Sequence, residues 1–167
     1  MSTIEPTSRQ LRALAHALRL RMLGELRVSG PLTVGRMCEI FDEAPGNISY
    51  HLGVLVEFGF VEEAPELATD RRERWWRSAH DTTRLRGPEA APARHNVIDV
   101  YAATLHRVID LGTPESSSDV FAFLTPTQLT EATRELEAVI SKWADAGSRQ
   151  TEGAVASQLI IHAFARP

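Results

Sequence analysis

The chain has 167 residues, a formal net charge of -4, 43% hydrophobic and 24% charged residues, which is ordinary globular composition for one domain or a small domain with an appendage. A mean hydropathy of -0.18 and the lack of a long apolar run argue against a membrane span. "MSTIEPTSRQ" lacks the apolar stretch of a signal peptide, and Cys38 is the single cysteine, so no internal disulfide forms and a reducing cytoplasm is expected.

Residues 1–7 show no periodicity and are expected to form a frayed tail. The segment 8–18 places Leu11, Leu14, Ala15 and Leu18 on one helical stripe, with Ser8 as its N-cap. The helical pattern continues through Leu20, Met22, Leu23 and Leu26 and stops at Ser29-Gly30-Pro31. Thr33 caps a short helix over 33–42, and a turn at Ala44-Pro45-Gly46 leads to a helix over 45–58. Beyond Gly59 the period changes: 60–66 and 73–79 read as strands, with "LATDRR" as the turn between them. "RGPEAAPA" is a connector, and 94–112 is an amphipathic helix carrying Val97, Val100, Tyr101, Leu105, Val108 and Leu111. A loop "ESSSD" then precedes a strand over 120–125. A helix follows with Thr125 as N-cap, Pro126 at N1 and Gly147 as stop, and a final strand spans 155–165.

Short helices followed by a β-hairpin are the pattern of a winged helix-turn-helix, with 33–42 and 45–58 as the helix-turn-helix pair. On a wheel of about 100° per residue, Ile48, Leu52 and Leu55 fall on the core side of the helix 45–58. Gly46, Asn47, Tyr50 and Gly53 fall opposite, with Ser49 and His51 on the flanks. This arrangement suits a helix that enters the major groove with its N-terminal polar residues toward the bases. Asn pairs with adenine, Ser bonds bases or phosphates, and Tyr reaches phosphate. The hairpin supplies a wing over 67–74, with Arg71 and Arg72 at the tip and Arg74 beyond, suited to phosphates or the minor groove. The candidate DNA contacts are therefore Asn47, Ser49, Tyr50, His51, Arg71, Arg72 and Arg74. The net charge does not oppose this. Up to Arg86 the chain has 12 Arg against 12 Asp and Glu, and the acidity lies beyond, with 6 Lys and Arg against 10 Asp and Glu.

The stretches "LRALAHALRLRMLGEL", "SGPLTVGRMCEIFDEAPGNISYHLGVLVEFGFVEE" and "RRERWWR" together resemble the ArsR-type (arsenic-repressor-like) winged-helix transcriptional regulators over about residues 8–80. The resemblance implies a homodimer on double-stranded DNA, with one recognition helix per protomer in successive major grooves. The fold expected is mainly α (α+β): a winged helix-turn-helix over 1–86, then 87–167 with a dimerisation helix and a small strand-helix-strand unit. The sequence departs from the family where cations are usual, at Tyr50 and Gly53, which implies fewer phosphate contacts. Metal-sensing members carry Cys-x-Cys in the third helix; here those positions are Thr33 and Gly35, and Cys38 alone builds no thiolate site. Another zinc pattern keeps only His95 and His106, with Ala93 and Ile109 at the remaining ligand positions, so no metal or other cofactor is expected. His16, His80 and His162 read as structural residues and Cys38 as a small core residue.

No Gly-rich phosphate loop, nucleophile-base set or paired acids appear, so an enzyme is not expected. Trp75, Trp76, Tyr101, Phe121 and Trp143 could line a pocket for an apolar small-molecule effector, though core packing is the simpler use. Three readings follow: a dimeric DNA-binding repressor, a zinc sensor of the same fold through His95 and His106, or a winged-helix protein-interaction module that reads no DNA.

Overall fold

The structure is a computed structural model that describes residues 2–70, 73–84 and 122–146, together with residues 95, 98–100, 102, 103, 152, 153 and 159. It divides into two compact units, residues 2–114 and a C-terminal unit from residue 115 onward.

The first unit begins with β1 (Thr3–Ile4) and α1 (Ser8–Leu14). The N-cap of α1 is Thr7 rather than Ser8, in a reciprocal capping box with Gln10. The helix breaks at Ala15-His16 before α2 (Ala17–Ser29), earlier than the apolar stripe suggests. His16 is extended, and its Nδ1 accepts from the Leu18 N–H at 3.2 Å, so the imidazole caps the second helix. Gly30, with φ of 85°, ends α2. β2 (Leu32–Thr33) then leads into α3 (Val34–Phe41), capped by the Thr33 hydroxyl and closed by Asp42 in the left-handed region.

After a short turn, Pro45 opens α4 (Pro45–Glu57). Gly59, with φ of 75°, closes it in a Schellman motif: Phe60 N–H donates to Leu55 O at 2.9 Å and Gly59 N–H to Val56 O at 3.0 Å. The wing is β3 (Val61–Glu63), a 3-10 turn (Pro65–Leu67) and β4 (Trp75–Ser78), followed by β5 (Thr82–Thr83). The sheet order is β2-β4-β3, all antiparallel, with Trp76 facing both Leu32 and Glu63 in register. Among the described residues the core gathers Leu18, Met22, Leu23 and Leu26 of α2, Met37 of α3, Ile48, Leu52 and Leu55 of α4, and Phe60, Val61 and Trp76. This is a winged helix-turn-helix, mostly helical with a small sheet.

Residues 2–7 do not form the frayed tail expected over 1–7 from its lack of periodicity. Thr3 and Ile4 pair in parallel with Thr82 and Thr83. The Asp81 carboxylate accepts from Ser2 N–H at 2.6 Å, and Ile4 packs against the core. A two-residue strand is too short to show a period of two, and its partner lies almost 80 positions away.

In the C-terminal unit, α5 (Pro126–Ala146) starts with a box between Thr125 and Gln128, each side chain bonding the other's backbone N–H. Residues 122–125 form no strand, and Phe123 is fully exposed, so this stretch has no buried face to hold it in a sheet. The rest of the expected strand over 120–125, and all but Leu159 of the strand over 155–165, lie outside the described residues. Within the expected helix 94–112, residues 95, 98–100, 102 and 103 are helical and the others, His106 among them, lie outside the description.

Candidate nucleic-acid interface

The outward face of α4 is built by what its inward face buries. Ile48, Leu52 and Leu55 are almost wholly buried, which fixes the rotation of the helix about its axis. Asn47, Ser49, Tyr50 and Gly53 are consequently exposed, Tyr50 by 65%. A Cβ added at Gly46 or Gly53 would meet nothing within 4 Å, so the surface there is open.

His51 does not join that face. It is 6% exposed, lying 4.3 Å from the His16 ring between centroids, with Nδ1 3.3 Å from the Arg19 guanidinium. The flank position on the wheel turned inward because His16 and Arg19, at the start of α2, pack against α4 on that side. His51 therefore supports the helix from behind instead of presenting its ring to a groove. Burial pushes its pKa below the ordinary 6.5, helped by the neighbouring His16 and Arg19 and opposed by Glu43.

On the wing, the turn is organised by Glu73, whose carboxylate accepts from Thr69 N–H at 3.1 Å and from its hydroxyl at 2.8 Å. These bonds hold Glu73 ionised below the usual carboxylate range. Arg71 and Arg72 lie outside the described residues. Arg74 is folded back onto the wing. Its Nε and Nη2 donate to the two carboxylate oxygens of Glu63 at 2.9 and 2.8 Å, and its guanidinium stacks 4.6 Å from the Trp76 ring centroid. The pairing holds the Glu63 carboxyl low and raises Arg74. Asn47 is likewise engaged, donating from Nδ2 to Glu43 at 2.7 Å.

Between α4 and the wing lies a recess of about 500 Å³, walled by Thr33, Gly35, Ser49, Gly53, Arg74 and Trp76. It holds no thiol; Cys38 sits one helical turn away, partly buried against the core. Among the described residues, no group of three or more His, Cys, Asp or Glu could hold a metal ion. His95 is exposed there, while His106 is outside the description.

The inward contacts of His51 could not be found from the sequence, since His16 and Arg19 lie 35 and 32 positions away and carry no shared pattern. The carboxylate partners Glu43 and Glu63 were equally hidden, except that Glu43 stands four positions before Asn47.

A helix-turn-helix domain family matches residues 14–64, which runs from the end of α1 to just beyond β3. No curated protein matches this chain. Among solved structures the chain is similar to a mutant ZitR of Lactococcus lactis in its apo form, at 17% identity, covering 77% of this chain and 83% of that one, with a TM-score of 0.38. It is also similar to apo MarR of E. coli, at 17% identity over 79% and 88% of the two chains, with a TM-score of 0.37. YusO of Bacillus subtilis is similar at 17% identity over 83% of each chain, with a TM-score of 0.37.

Proposed function

We propose that this protein is a sequence-specific DNA-binding transcriptional regulator, acting as a repressor. The observation that carries the reading is the anchoring of α4: three apolar residues lock it to the core, and Asn47, Ser49 and Tyr50 stand exposed beside a β-hairpin wing. In this reading the helix over 45–58 enters the major groove, and the wing over 67–74, with Arg71, Arg72 and Arg74, tracks phosphates or the minor groove. The protein works as a homodimer through its region 87–167, with half-sites about 34 Å apart. The ArsR-type assignment, and control by a small-molecule effector, belong to the same proposal. No helix among the described residues is long and apolar enough to cross a membrane.

An electrophoretic shift on duplex DNA from the protein's own promoter tests the reading. Wild type is expected to bind, and Asn47→Ala to lose about 1–3 kcal/mol selectively on the preferred sequence. Absence of binding by wild type at low salt would overturn it in favour of a protein-interaction module.

A further inference from the structure

We propose that Glu43 and Glu63 are carboxylate covers of the DNA face, which must be displaced when Asn47 and Arg74 engage DNA. The inference rests on the DNA-binding reading and adds a control to the same surface.

Two independent contacts carry it. Arg74 offers a guanidinium whose Nε–Nη2 edge is suited to a two-oxygen anion, and that edge is filled by both oxygens of Glu63. Its π-face is occupied by Trp76. A phosphate arriving at Arg74 therefore exchanges one anion for another, and little net attraction results. Asn47 offers a carboxamide for an adenine edge, and its Nδ2 already donates to Glu43. Glu43 sits just before the N-terminus of α4, where a carboxylate is favoured by the helix dipole. The same carboxylate stands where DNA phosphates would approach.

The wing repeats the pattern: Arg77 is paired with Glu62 and Glu66. On the described part of the wing, the charge balance is thus local: Arg74 and Arg77 are each held by glutamates. Random DNA offers Arg74 only phosphate, which gains little over Glu63. An operator adds base contacts that offset the release of Glu43. The covers therefore lower affinity for random duplex more than for operator, and they supply a specificity that a bare cationic face would lack.

The test is a double-mutant cycle on the full chain, read by fluorescence anisotropy against operator and random duplexes over a salt series. Glu63→Gln is expected to tighten random-duplex binding about three- to fivefold, the scale of an exposed ion pair. It is also expected to steepen the slope of log K against log salt by about 0.9, one added phosphate contact. Arg74→Gln alone is expected to change affinity less than about twofold, and to abolish the gain when combined with Glu63→Gln. Glu43→Gln is expected to lower the operator-to-random ratio. If Glu63→Gln and Arg74→Gln act independently, Glu63 contributes only net charge and the proposal is overturned. The same holds if wild type binds but neither glutamate variant changes affinity or ratio, in which case the DNA-binding reading survives. If neither wild type nor any variant binds a duplex at low salt, both readings fail together. Glu63→Thr, which keeps a good strand former at the same position, repeats the measurement should the glutamine variant unfold.

Discussion

Nδ1 of His51 lies 3.3 Å from the Arg19 guanidinium, and this contact joins α4 to two other helices. The same guanidinium donates from Nη2 to Arg12 O at 3.1 Å and from Nε to Ala13 O, satisfying carbonyls at the end of α1. Guanidinium can only donate, so His51 must accept through Nδ1 and keep its proton on Nε2. The neighbouring His16 accepts the Leu18 N–H through its own Nδ1. The buried His51 ring is thus held in its neutral form.

A pH dependence follows. Burial, His16 and Arg19 depress the folded pKa of His51 below 6.5, while Glu43 pulls the other way and Tyr50 meets the ring edge-on at 5.1 Å. Below 6.5 the unfolded chain binds a proton that the folded chain refuses, so stability is fully present above that pH and falls as pH drops toward the folded value. Urea unfolding at pH 7.5 and about 5.5 is expected to show the loss. His51→Leu should remove that slope, whereas an unchanged slope would mean that His51 is not its source. The depressed carboxylates Glu63 and Glu73 have an ordinary value of 4.5, so they titrate below this window.

Gly53→Arg is expected to strengthen binding to every duplex. A Cβ there meets open space, and replacing an interior helical glycine gains about 0.5–1 kcal/mol of stability. The added cation should steepen the salt slope by about 0.9 while lowering the operator-to-random ratio. Salt titration by anisotropy decides, and an unaltered slope would place residue 53 away from the backbone.

Two truncations in one helix should separate support from reading. Leu55 is wholly buried, so Leu55→Ala is expected to cost about 2–5 kcal/mol in urea unfolding. Tyr50 is exposed, so Tyr50→Ala should leave stability within about 0.5 kcal/mol yet weaken DNA binding. Equal losses of stability would contradict the orientation of α4.

Removing residues 2–4 tests the first strand. The pairing with β5, the Ser2 bonds to Asp81 and the packing of Ile4 together predict a loss of about 1–2 kcal/mol. A frayed tail would cost nothing, and thermal unfolding of the two chains distinguishes the cases.

Zinc titration of the apo chain is expected to reveal no stoichiometric site, and chelator is expected to leave DNA binding unchanged. Binding that disappears in His95→Ala would instead favour the zinc-sensing reading.

The sequence by itself determined the elements whose signals are local. Thr33, Pro45 and Gly59 mark helix ends through caps that act within four residues, and the 3.6-residue spacing of Ile48, Leu52 and Leu55 set which face of α4 turns inward. The hairpin was legible because its strands lie close together along the chain. Tertiary structure alone decided what depends on distant partners. The two-residue strands β1 and β2 exist only because Thr82–Thr83 and Trp75–Trp76 lie beside them. His51 sat on the margin of the wheel, and the packing of His16, which caps α2, and of Arg19 from α2 made it a buried support. Arg74 read as a cation offered to phosphate, and the β3–β4 register brought Glu63 against it. Periodicity and caps are written in neighbouring residues, whereas the partner of a charged or polar side chain is chosen by the packing of elements far apart in the chain.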